Sequence, residues 1–157
     1  MLKYIIPLLL LATPTYADNA TVAFSPHGGA TELVIQTINE ARASVRLAGY
    51  GFTSYPIANA LDAACIRGVS VRLVLDKSQI NSRAARGLKC ALVRYDSEYR
   101  IMHSKYLVID GITLETGSFN YTKSAENNNA ENVLVLRNSP VIRQYIANFD
   151  KLWGESR

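Results

Sequence analysis

The sequence predicts an α/β domain, a mixed, largely parallel β-sheet flanked by helices, and three observations carry that expectation. Short apolar runs rich in Val, Ile and Leu fit buried strands, while other segments repeat their apolar residues at helical spacing. The two kinds of segment alternate along the chain, the order expected of a sheet covered by helices. No internal repeat or low-complexity linker interrupts them, and about 140 residues suffice for one domain with its own core.

Residues 21–24 read as the first strand, followed by the loop Ser25-Pro26-His27-Gly28-Gly29. Leu33, Val34, Ile38 and Ala41 share a helical face, with Thr31 as the expected cap. A strand over 45–48 leads to a second helix, opened by Pro56 at the first turn, where a missing N–H costs nothing. Its apolar face is Ile57, Leu61, Ala64 and Cys65, Gly68 stops it, and 69–75 is the next strand. A short helix over 82–88, a strand near 91–95 and another over 131–136 continue the rhythm. Ser139-Pro140 opens the last helix, whose Val141, Ile142, Tyr145, Ile146 and Phe149 lie on one side.

Residues 1–17 read as an export signal: Lys3, an apolar run from Ile5 to Leu11, and Thr15-Tyr16-Ala17 as a small-residue cleavage site. The run is shorter than the roughly 20 apolar residues of a membrane span, and Pro7 and Pro14 break it. The expected mature domain is therefore 18–157, periplasmic or secreted. Cleavage removes one Lys and no acid, leaving 16 basic and 13 acidic residues, formally +3. That mild excess suits a polyanionic substrate without specifying one. Cys65 and Cys90 would reach a compartment that permits disulfides. The expected burial of Cys65 on a helix face tips the reading to free thiols, with a bridge as the alternative.

The chemistry concentrates in 102–120. Alternate residues of a strand share a face, so His103 and Lys105 project together, an imidazole beside an ammonium, suited to a phosphate group. Asp110-Gly111 is a strong hairpin signal, because both residues tolerate the positive φ of a type I′ turn. Pairing Ile109 with Ile112 sets Ser118 opposite His103 and Thr116 opposite Lys105, and Asn120 follows on the same face. Gly117 would let the backbone approach a ligand. Asp110 falls on the other face and in the turn, where a structural task competes with a catalytic one.

The pattern His-x-Lys-x4-Asp-x6-Gly-Ser-x-Asn resembles the signature of the phospholipase D superfamily, and only one copy is present. Tyr50-Gly51-Phe52-Thr53 and 67–72 also resemble small bacterial Nuc-type endonucleases, extending the likeness over nearly the whole mature chain. The resemblance implies a phospholipase D-like α/β sandwich in which His103 attacks phosphorus, forming a phosphohistidine. It implies that Lys105 and Asn120 hold phosphate oxygens, that Ser118 supports them, and that a downstream carboxylate orients the imidazole. Glu131 is the position matched to that carboxylate, with Glu126 as its competitor. Asp110 belongs to the signature.

No cluster of His, Cys, Asp or Glu shows ligand spacing, so no cofactor is expected and the chemistry should be metal-independent. The implied mechanism needs a second imidazole. The chain has only His27 and His103, and His27 sits in a loop unlike the motif, where a solvated histidine is the ordinary reading. A twofold homodimer that brings two copies of His103 to one shared site resolves the shortage. Tyr50, Tyr106 and Tyr121 could stack on bases, although packing is the simpler reading for Tyr106. Lys123 and Arg137 read as solvated charges that could widen a basic surface. The expected function is a non-specific endonuclease on DNA, with RNA as a second substrate. A phospholipase D acting on head groups and a non-catalytic nucleic-acid-binding module are the rivals. No long apolar or amphipathic membrane-binding stretch is visible in the mature sequence.

Overall fold

The computed structural model describes residues 20–157, and the expected export segment 1–17 lies outside them. A seven-stranded sheet is built from β1 (Ala20–Ser25), β2 (Ser44–Gly49), β3 (Ser70–Asp76), β4 (Leu92–Asp96), β5 (Lys105–Ile109), β6 (Thr113–Gly117) and β7 (Glu131–Arg137). Its order is β1-β7-β6-β5-β2-β3-β4. The helices are α1 (Ala30–Asn39), α2 (Tyr55–Ile66), the short α3 (Arg83–Arg86) and α4 (Lys123–Asn127), and α5 (Ile142–Glu155).

The expected mixed sheet flanked by helices is present, but its parallel part is confined to β2-β3-β4. The pairings β1-β7, β7-β6, β6-β5 and β5-β2 are antiparallel. The Asp110-Gly111 hairpin accounts for the β5-β6 pairing, because a tight turn reverses the chain without a crossover helix.

Each face of the sheet has its own core. Leu47, Leu73, Leu107 and Val135 point toward α1 and α2, which bury Val34, Ile38, Ile57 and Leu61. Ala48, Val74, Val108 and Leu114 point toward α5, which contributes Ile142, Phe149 and Leu152. Each fully buried Leu, Ile or Phe contributes about 1.5–3 kcal/mol, so a helix on either face is anchored by several such side chains.

Local punctuation differs from expectation in two places. The α1 cap is Gly29, at φ 80, with no side-chain bond; Thr31 lies inside the helix, and its N–H is taken by the Glu126 carboxylate at 2.9 Å. A carboxylate at a helix start satisfies an orphan donor and meets the positive end of the dipole, so Glu126 serves the fold. Cys65 is half-buried at the edge of α2 and forms a disulfide with Cys90, Cα to Cα 6.2 Å. This corrects the free-thiol reading: Cys65 packs at the margin of the core, within reach of Cys90 in the turn after α3. Helix α2 opens as expected, with Pro56 in its first turn, and the Ser54 hydroxyl accepts from Ile57 N–H at 3.5 Å.

Candidate active site

The site begins with the β5-β6 hairpin. Asp110 and Gly111 both hold positive φ, 53° and 73°, and Ile112 N–H donates to Ile109 C=O at 3.0 Å, the tight turn expected. The strands nevertheless pair Ile109 with Thr113 and Tyr106 with Thr116, one residue off the expected register. Ile112 is the extra residue, pushed outward and 55% exposed, and it leaves the ladder as in a bulged hairpin.

That slip would send Ser118 to the wrong face had the strands continued. They do not: β5 starts at Lys105 and β6 ends at Gly117, so His103, Ser118 and Asn120 lie beyond the strand ends, where alternation lapses. His103, Lys105, Ser118 and Asn120, with Glu131, line one cavity of about 670 Å³. It opens at the edge of the sheet where β2 ends, since Gly49 pairs with Lys105. Open α/β sheets commonly bind ligands at that edge.

His103 is exposed, and its ring lies 4.6 Å from the Tyr50 ring, tilted by 55°. Lys105 is only 8% exposed. Its Nζ donates to His103 C=O at 2.8 Å and sits 5.2 Å from the Tyr50 ring centroid. Burial pushes the ammonium below its ordinary range, and the Glu131 carboxylate opposes that shift. Tyr50 thus touches both members of the His-Lys pair, through a ring contact and a cation–π contact. Tyr50 N–H donates to Ser104 C=O at 3.0 Å, pinning the segment between them. Asp76 holds the preceding residue, accepting from Met102 N–H at 2.9 Å.

Across the cavity, the Ser118 hydroxyl accepts from Asn132 N–H at 3.1 Å, and Ser118 N–H donates to Asn132 C=O at 3.2 Å. Gly117 lines the cavity and also serves this junction: a Cβ there would lie 2.1 Å from the Asn132 carbonyl oxygen. The Asn120 side-chain oxygen is buried without a hydrogen-bond partner. Such an atom is costly unless something occupies the cavity beside it. Glu131 lines the cavity, but its carboxylate accepts from Asn129 Nδ2 at 2.9 Å. The structure brings Glu131 near the Lys105 charge and does not join it to the His103 imidazole by a hydrogen bond.

Asp110 is the expected site residue that stays away. Its carboxylate accepts from Arg42, Ala43 and Ser44 N–H at 2.9, 2.8 and 2.7 Å, tying the hairpin turn to the start of β2. Burial alone would raise its pKa, but those three donors outweigh it and hold the group below the ordinary carboxylate value of 3.8. Its stabilising effect is therefore complete above that value and lost as pH falls through the lowered one. We expect Asp110→Ala to cost about 1–3 kcal/mol in denaturant unfolding at neutral pH, a loss that shrinks in acid, while kcat per folded molecule changes little.

His27 is exposed in the loop after β1 and is absent from the cavity lining. The wall from α5, Gln144, Tyr145 and Asn148, was not foreseen. Tyr106 O–H donates to Asn148 Oδ1 at 2.7 Å, and the Tyr106 and Tyr145 rings meet edge to face at 4.9 Å. Gln144 and Asn148 are four residues apart, hence on one helix face, the one trace of this wall in the sequence.

Comparison with known proteins agrees with this arrangement. Residues 34–153 match the family described as "Cardiolipin synthase, PLD-like domain". A phospholipase D from Rickettsia prowazekii is 33% identical over 136 residues, covering 84% of this chain and 66% of the relative. Human mitochondrial cardiolipin hydrolase is 34% identical over 138 residues, covering 83% of this chain and 54% of that protein. The chain thus spans slightly under two thirds and about half the length of these two relatives. Among solved structures, the phospholipase D family member Nuc from Salmonella typhimurium superposes with a TM-score of 0.82 at 36% identity, covering 88% of this chain and 95% of Nuc. NucT from Helicobacter pylori gives 0.79 at 25% identity, covering 87% and 96%. With His103, Lys105, Ser118 and Asn120 gathered at one cavity and the family match spanning most of the described fold, the chain belongs to the phospholipase D superfamily of phosphodiesterases.

Proposed function

We propose that the protein is a metal-independent endonuclease that hydrolyses DNA through a phosphohistidine at His103, acting as a homodimer. The observation that carries this reading is the convergence of His103, Lys105, Ser118 and Asn120 on one cavity. A neutral imidazole nitrogen of His103 attacks phosphorus, and the bond to the leaving oxygen breaks as a second imidazole gives that oxygen its proton. Water then attacks the phosphohistidine, the N–P bond breaks, and the second imidazole takes the water's proton. Lys105 and the Asn120 amide hold the non-bridging oxygens, a fixed cation and a dipole aimed at charge that grows in the transition state. The second imidazole is His103 of a twofold-related copy. On the α5 side of the sheet, Val22 and Phe24 of β1 are 53% and 58% exposed, an apolar strip that supports pairing of two chains.

Two observations favour nucleic acid over lipid. The α5 wall offers two amides and a tyrosine rather than an acyl surface, and the chain superposes on Nuc and NucT over most of its own length, beside the sequence relatives named for lipid. Those relatives' names favour the second reading, a phospholipid head-group diester. Purified protein with excess chelator, offered plasmid DNA beside vesicles of phosphatidylcholine and of cardiolipin, separates them. We expect nicking of DNA at an undiminished rate. Cleavage of lipid alone would replace the substrate, and loss of activity with chelator, restored by Mg²⁺ or Zn²⁺, would overturn the metal-free mechanism.

A further inference from the structure

Glu115 is fully buried on β6, between Leu107 of β5 and Val135 of β7, facing the core under α1 and α2. A carboxyl there is expensive unless it is neutral or paired. Its one hydrogen-bond partner is the Tyr121 hydroxyl, which donates to Oε2 at 2.9 Å, while Oε1 is buried without a partner. Tyr121 is itself fully buried, follows Asn120 directly, and its carbonyl accepts from both Thr53 and Ser54 N–H at 2.9 Å. Its ring fills the space beside Gly49, where a Cβ would lie 3.2 Å from it, and meets Phe52 edge to face. The loop carrying Ser118 and Asn120 is therefore held at both ends, by Gly117 against Asn132 and by Tyr121 against Glu115.

We propose that Glu115 is a positioning residue of the site: as a neutral acid it anchors Tyr121, and through Tyr121 it fixes the loop that presents Asn120 to the cavity. This rests on the catalytic reading of Asn120 given above. Burial pushes the Glu115 carboxyl up to about 8, with the Tyr121 hydrogen bond opposing, and Tyr121 is raised in turn by burial and by Glu115. Among the described residues, Tyr121 is the titratable group acting on Glu115, and Tyr106 acts beside Glu115 on Tyr121. Helix α1 packs on this side with Leu33, Val34, Thr37 and Ile38, none of them charged. A buried acid with a raised folded-state pKa binds its proton more tightly than the unfolded chain does. Its contribution to stability is thus complete below the ordinary value of 4.5 and fades as pH rises toward about 8. Across that window the folding equilibrium constant should fall about tenfold per pH unit on account of this one group.

Three variants test the anchor, with bis(p-nitrophenyl) phosphate as substrate so that DNA or lipid preference does not enter. Glu115→Gln keeps an acceptor for Tyr121 and cannot ionise: its stability should lose the wild-type decline between about pH 4.5 and 8, with kcat within about threefold of wild type. Tyr121→Phe removes only the hydroxyl and should lower kcat about tenfold with KM little changed. The Asn120 side-chain amide resonances should shift in its NMR spectrum. Glu115→Leu should lower kcat at least as far as Tyr121→Phe; if it does not fold, the other two variants decide. Equal pH dependence of stability in wild type and Glu115→Gln, or unmoved Asn120 resonances with full kcat in Tyr121→Phe, would overturn the proposal. Failure of the catalytic reading looks different: Asn120→Ala would then hydrolyse the diester as wild type does, and Asn120 would have no function for Glu115 to support.

Discussion

His103→Ala is expected to reduce turnover by at least about 10⁴-fold, the upper end of what one positioned acid–base group supplies, because in the proposed dimer the same substitution also removes the nucleophile. Its fold should be little disturbed. The imidazole is exposed and meets the Tyr50 ring, so thermal unfolding should stay close to wild type. The substitution also leaves intact what holds Lys105, since that ammonium bonds the His103 backbone carbonyl rather than the ring. A phosphate group should still be captured while chemistry stops, giving lost kcat with substrate affinity largely retained. Quenched-flow trapping of acid-labile, radiolabelled enzyme would add a direct check: wild type should accumulate an N-linked phosphate monoester and His103→Ala none. A variant with a tenth of wild-type activity would show that His103 is not the nucleophile.

How much of this was legible in the sequence depends on how local the cause was. The Asp110-Gly111 turn was legible because two residues at positive φ announce themselves through composition. The pairing register was not, because Ile112 leaves the ladder where its C=O accepts from Asn138 N–H, just past β7, at 2.8 Å, a contact only the fold brings about. Convergence of the motif survived that error because the relevant side chains lie past the ends of the strands. The structural task of Asp110 was readable from its place in the turn, but its partners at 42–44 come from a strand brought alongside only by the fold. Glu126 and Glu131 show the same limit: their spacing after the motif is alike in kind, and only tertiary structure sends one to the start of α1 and the other to the cavity. Helical periodicity misplaces Cys65, because it describes a face and not its edge. Glu115 was invisible to pattern reading, since a Glu flanked by Leu and Thr reads as an alternating, solvent-facing strand position.

The second large effect joins mechanism to assembly. One His103 of a pair must be neutral to attack while its partner carries the proton for the leaving oxygen, so the pH–rate profile should be bell-shaped, its limbs belonging to the pair rather than to either imidazole. Subunit mixing then separates a shared site from two independent ones. If each chain worked alone, mixing wild type with an excess of His103→Ala would leave the activity of the wild-type chains unchanged. If one site is shared, every mixed dimer is inactive, and with a ninefold excess of the variant and full exchange only about one wild-type chain in ten keeps an intact partner, by the mass action that governs any dimer. Activity per wild-type chain should therefore fall about tenfold, and dilution below the dimer dissociation constant should abolish turnover. Undiminished activity on mixing, or full turnover by a monomer, would place both catalytic roles in one chain. His27 would then be the one other imidazole available, and because it lies outside the cavity lining, the loop after β1 would have to move to bring it to the leaving oxygen.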